Sequence, residues 1–81
     1  MTYELTPEAM RAGRAILKWS MRDLRDASGV SLATINAVEN GLRSRAAHAA
    51  TAAKIVEAFA SAGVELLPPP ADGARRIAPQ A

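Results

Sequence analysis

Between Ser20 and Gly41 the sequence SMRDLRDASGVSLATINAVENG spells out a helix start twice, and the glycine between the two leaves little freedom in how they join. A serine just before a helical run accepts a hydrogen bond from a free amide of the first turn. An apolar residue preceding that serine packs on one inside the helix and fixes the angle at which the chain enters. Trp19-Ser20 with Leu24 has this spacing, and Val30-Ser31 with Ile35 repeats it. Asp23 is placed to return the bond to the Ser20 amide, giving a short-armed capping box. Gly29 supplies the positive φ that ends one helix and turns the chain into the next. Upstream, Leu5-Thr6 with Met10 is a third copy of the pattern, with Pro7 suited to a first helical position. A chain punctuated this way is committed to short helices at set angles.

Apolar periodicity fills in the rest. Met10, Gly13, Ile16 and Leu17 recur at helical spacing and predict a first helix over 7–18. The second helix follows Ser20, and the third spans 32–39, stopping at Asn40-Gly41, both suited to the left-handed conformation. In HAATAAKIVEAFASA, the residues Ala52, Ile55, Val56 and Phe59 share a face, which predicts a fourth helix over 47–62 closed by Gly63. Val64-Glu65-Leu66-Leu67 alternates weakly and predicts a short strand at 64–67, with a weaker one near 74–77 beyond Pro68-Pro69-Pro70. The expected architecture is all-α, with four to five helices in one domain over 1–67, a short β-like C-terminal segment, and a proline-rich flexible tail over 68–81. Met10, Ile16, Trp19, Leu24, Ile35, Val38, Ile55 and Phe59 are its expected core.

Composition narrows the function. A chain of 81 residues buries only about 60–65% of its unfolded surface, so it gains stability from a partner subunit. It has no cysteine, which removes disulfides, thiolate metal sites and a thiol nucleophile together. His48 is the sole histidine and has no cysteine or acidic cluster at ligand spacing, so neither a metal site nor a cofactor is expected. No phosphate-cradling glycine loop and no Ser/His/Asp arrangement in register appears, and the expectation is that the protein is not an enzyme. The start, MTYELTPEAM, lacks a basic n-region, and no run approaches the roughly 20 apolar residues of a membrane span, so a soluble cytoplasmic protein is expected. Ten basic residues against eight acidic ones leave a net charge of +2, and eight of the ten are arginine, the side chain suited to planar contact with phosphate or base edges.

Trp19-Ser20, Asp23-Leu24, Ala27-Ser28-Gly29-Val30-Ser31, Ala33-Thr34-Ile35 and Val38-Glu39-Asn40-Gly41 resemble the Cro/repressor-type helix-turn-helix regulators, the XRE family with a lambda repressor-like fold. The resemblance covers about residues 6–67. It implies that the third helix enters the major groove of double-stranded DNA while the start of the second meets the sugar-phosphate backbone. With Ile35 and Val38 turned inward, Leu32, Ala33, Thr34, Asn36 and Ala37 become the expected base contacts. Ser20, Arg22, Ser31, Asn40, Arg43 and Arg45 become the expected phosphate contacts. The implied function is a transcriptional regulator, a repressor reading operator half-sites as a homodimer, with its own promoter a candidate target. Val64, Leu66 and Leu67, with the exposed side of the fourth helix, form the expected dimer surface.

Three positions depart from that family. Met21 stands where a polar residue, often glutamine, is usual just after the cap of the second helix. Arg25 occupies a close helix crossing where alanine is preferred, its stem expected along the crossing and its guanidinium in solvent or on Glu39. The outward face of the third helix is largely Leu32, Ala33 and Ala37. Such a surface packs on thymine methyls beside an Asn36 that reads adenine, or else on another helix. An antiactivator or antitoxin using the same face on a protein partner is therefore the alternative reading.

Overall fold

The computed structural model describes residues 5–40, 49–67 and 70–79. Among them, helices α1 (Pro7–Leu17), α2 (Met21–Ser28), α3 (Leu32–Glu39) and α4 (Ala49–Ser61) lead into strands β1 (Val64–Leu67) and β2 (Gly73–Arg76). The first three helices begin where hydroxyl side chains place them. Thr6 Oγ1 accepts from the Ala9 amide at 3.1 Å, Ser20 Oγ from the Asp23 amide at 3.1 Å, and Ser31 Oγ from the Thr34 amide at 3.2 Å. Asp23 Oδ2 accepts from the Ser20 amide at 2.9 Å, completing the capping box. Gly29 ends α2 at φ 75°, with its amide donating to the Arg25 carbonyl, and the chain turns directly into α3.

The stapled positions all reach the core. Met10, Leu24 and Ile35 are fully buried together with Ile55, Phe59 and Val64, and Leu5, Ile16 and Trp19 pack against that cluster. Trp19 stacks on Phe59 with ring centroids 5.5 Å apart. Gly13 is needed on α1 for its lack of a side chain: a Cβ there would stand 2.9 Å from both Leu66 Cδ2 and Phe59 Cε1. That close approach lets β1 and the Phe59 ring sit against α1.

At the C-terminal end the weaker strand expected near 74–77 forms at 73–76 as β2, antiparallel to β1 with Val64 opposite Arg76 and Leu67 opposite Gly73. It is held down on α1 by Arg76, which donates to the Ile16 carbonyl at 3.0 Å, and the strand continues as the Ile77 amide donates to the Gly63 carbonyl at 2.9 Å. Val64, expected on an exposed dimer surface, is instead part of the monomer's own core because β1 packs on both α1 and α4. Leu66 is half-buried against the same cluster, and Leu67 is half-buried. Asn40 caps α3 at φ −98°, ψ 5°, not in the left-handed region. Gly41, His48 and the start expected for the fourth helix lie outside the described residues.

Arg25, expected in solvent or on Glu39, takes the first of these and lies on the surface with Asp26. Glu39 is 3% exposed and faces α1, where Arg14 grips it with both arms of the guanidinium. Nε donates to Oε2 at 3.0 Å and Nη2 to Oε1 at 2.5 Å. Arg14 also donates to the Trp19 carbonyl at 3.0 Å, and Arg11 donates to the Glu39 carbonyl at 2.9 Å. Two arginines of α1 thus hold the C-terminal end of α3, where cations are favoured by the helix dipole and free carbonyls need donors. A buried carboxylate is costly unless paired, and an Arg14 left without it is costly too, whereas apolar replacement of both partners removes both costs. Glu39→Ala is expected to lose about 3 kcal/mol of unfolding free energy in urea, and Arg14→Met with Glu39→Leu to recover most of it. Equal losses in the single and double variants would contradict this account.

Candidate nucleic-acid interface

The faces of α3 divide by burial. Ile35 and Val38 point into the core, while Ala33 and Asn36 are exposed and Leu32, Thr34 and Ala37 half-buried. The start of α2 lies beside the start of α3, and between them Ser20, Met21, Arg22, Leu32, Ala33 and Asn36 line an open concavity of about 570 Å³. The expected base-contact residues Leu32, Ala33 and Asn36 are therefore brought together with the expected phosphate contacts Ser20 and Arg22. Thr34, Ala37 and Ser31 do not line it. Arg43 and Arg45 lie outside the described residues.

Hydrogen bonding sorts the polar groups further. Ser20 Oγ accepts from a backbone amide within the capping box, and its own proton is left for an outside acceptor. Ser31 donates its hydroxyl proton to Thr34 Oγ1 at 2.9 Å, so of this pair Thr34 keeps the proton available for a phosphate or base. Asn40 does not stand alone as an outward donor: its Nδ2 donates to the Asn36 carbonyl at 2.8 Å and to Asn36 Oδ1 at 3.0 Å.

The arginines divide the same way. Arg14 and Arg11 are engaged on Glu39, Arg25 on Asp26, Arg75 on Glu65 and Arg76 on Ile16. Among the described residues, Arg22 has no ion-pair or hydrogen-bond partner, and it borders the concavity. An exposed guanidinium beside an apolar floor and an outward amide suits a ligand that offers an anionic rail next to a planar, partly apolar edge.

Met21, apolar where a polar residue is usual in the family, packs against the core and lines the concavity. An apolar residue directly after a cap was the available signal. The Asn36/Asn40 pair was missed as well, though its i, i+4 spacing places the two on one face. No group of acidic or histidine side chains able to hold a metal ion occurs among the described residues.

A protein-family model described as helix-turn-helix matches residues 10–66, from within α1 through most of β1. The chain belongs to the Cro/repressor-type helix-turn-helix family. Comparison with curated proteins and with solved structures finds no match. Membership makes this a DNA-binding domain of the transcription-regulator class, and the family is not one of enzymes. In this helix-turn-helix the paired helices are α2 and α3, joined at Gly29, and the concavity lies where their N-terminal ends meet. No helix among the described residues is long and apolar enough to cross a membrane.

Proposed function

We propose that this helix-turn-helix domain is a repressor that reads operator half-sites as a homodimer, with α3 in the major groove. The observation that carries the reading is Arg22, without a partner among the described residues, at the rim of a surface that also presents Ser20, Leu32, Ala33 and Asn36. Arg22 and Ser20 hold phosphates on one side of the groove. Asn36 meets a base edge, and Leu32 and Ala33 pack on thymine methyls. Thr34 and Ala37 extend the base contacts along α3. Arg43 and Arg45, which follow α3 in the sequence, clamp the backbone further on, with Ser31 contributing through its main-chain amide at the N-terminus of α3, its hydroxyl being engaged on Thr34. A domain bound across a promoter excludes polymerase, which makes repression the sign of regulation, and the promoter of its own gene is among the targets.

Three arginines per protomer, six per dimer, release enough counterions that affinity for a short operator duplex is expected to fall on the order of a thousandfold between about 50 and 200 mM salt. The operator is obtained by selecting bound duplexes from a random pool. Binding that ignores salt, or no selected sequence at all, would shift the account to the protein-binding alternative, an antiactivator or antitoxin. The apolar lining of the concavity by Met21, Leu32 and Ala33 is what favours that alternative.

Reader and clamp separate by mutation. Asn36→Ala is expected to relax discrimination at one base pair by roughly tenfold, whereas Arg22→Ala weakens all duplexes alike and lowers the salt slope by about one per protomer. Uniform loss in both variants, measured against a panel of single-base changes, would contradict the division.

The dimer surface falls to the exposed side of α4, since Val64 is committed to the core. Lys54 and Glu57 lie one helical turn apart there, both exposed, and neither forms an ion pair with the described residues. A two-fold axis crossing α4 between them sets Lys54 against Glu57 of the partner subunit, and the reverse. Lys54→Glu is expected to weaken self-association in sedimentation experiments, and adding Glu57→Lys to restore it. An unchanged mass distribution in the single variant would refute this placement.

A further inference from the structure

The polar end of α3 holds a small device that decides which hydrogen-bonding edge the helix shows. Asn36 and Asn40 are both exposed, one turn apart, and one amide group joins them. Asn40 Nδ2 donates at 2.8 Å to the Asn36 main-chain carbonyl and at 3.0 Å to Asn36 Oδ1. The first bond removes an ambiguity that amide side chains usually carry. A main-chain carbonyl is only an acceptor, so the Asn40 amide must turn its nitrogen toward Asn36; reversed, two oxygens would face each other. With that nitrogen fixed, the Asn36 side chain must turn its own oxygen inward to receive the second bond. Its Nδ2 then faces away from Asn40, with two protons and no partner among the described residues.

We propose that Asn40 is a positioning residue that presets Asn36 as a donor, so that α3 reads an acceptor edge in the major groove: purine N7, or the neighbouring O6 of guanine. The inference builds on the reading of α3 as the helix that enters the groove. It alters the two simplest expectations for these residues. An unrestrained asparagine suits adenine, because it offers a donor to N7 and an acceptor to the N6 amine together. Here the acceptor half is already engaged, and the donor half dominates recognition. Asn40, in turn, acts through Asn36 and not as an independent phosphate contact. Such presetting also reduces the ordering that binding would otherwise require of an exposed side chain.

The test uses the full chain and a duplex selected from a random pool, in which each purine N7 is replaced in turn by a C–H group. For the unaltered protein, one substitution in each half-site is expected to weaken binding by roughly tenfold, the loss of one specific hydrogen bond. Asn40→Ala is expected to abolish that sensitivity and to narrow the gap between the selected duplex and single-base mismatches at the same position. Asn40→Asp, which has no amide proton to donate, draws the Asn36 amine toward itself and turns Oδ1 outward; preference at that position then moves toward the amines of adenine or cytosine. Circular dichroism establishes that both variants keep their helices. If Asn40→Ala lowers affinity for every duplex by the same factor while N7 sensitivity persists, Asn40 is a backbone contact and the inference is overturned. If the unaltered protein binds a selected duplex with no N7 sensitivity, the donor assignment fails while groove reading by α3 stands. If no duplex is bound at all, the underlying reading fails with it.

Discussion

The carboxylate of Glu39 is buried on the last turn of a helix too short to stand alone, and the pairing it therefore demands organises the domain. An isolated helix the length of α3, eight residues, is not stable in water, so its place must come from what it packs on. Ile35 and Val38 supply packing on one side. Packing alone is non-directional, and it leaves α3 able to rotate or slide. The bidentate Arg14–Glu39 pair, with Arg11 on the Glu39 carbonyl, supplies direction. Because Arg14 also holds the Trp19 carbonyl, the same guanidinium ties the end of α3 to the turn that starts α2. Both halves of the helix-turn-helix are thereby referred to one group on α1.

The consequence for the interface is a separation of roles among like charges. Arginines facing acids or open carbonyls serve the fold: Arg14 and Arg11 at α3, Arg76 on the last turn of α1, Arg75 across the hairpin. Arg22, on the first turn of α2, has no partner among the described residues and lies beside the apolar surface of Met21, Leu32 and Ala33. A modest net charge of +2 therefore says little about where anions would be held; what matters is which cations remain after the internal pairs are formed. The β1–β2 hairpin plays a supporting part, closing the open side of α1 over Gly13 and seating Val64 in the core.

Much of this was legible in the residues. The caps at Thr6, Ser20 and Ser31, the glycine turn at Gly29 and the stapled positions Met10, Leu24 and Ile35 all follow local rules, and local rules are what a sequence displays most directly. The strand at 64–67 was visible from alternation, but its burial was not, since the face it covers belongs to α1 far away in the chain. The weak strand expected near 74–77 forms one residue earlier, where it pairs with β1, so part of the supposed tail belongs to the domain. The Arg14 partner of Glu39 was not legible, even though positions 35, 38 and 39 fall on one helical face; a charge on an inward face demands a buried partner, and helical spacing could not say from which helix it comes. The hydrogen-bond directions at Ser31, Thr34, Asn36 and Asn40 depend on atomic positions and had no counterpart in residue spacing.

The central claim is that the surface shared by the N-terminal ends of α2 and α3 is where nucleic acid sits. Amide chemical-shift mapping during titration with a selected operator duplex tests it most directly. The account predicts that the largest changes cluster at Arg22, Leu32, Ala33 and Asn36, with α4 and the hairpin nearly silent. Changes centred on α4 or the β1–β2 hairpin, with α3 unmoved at saturation, would contradict it.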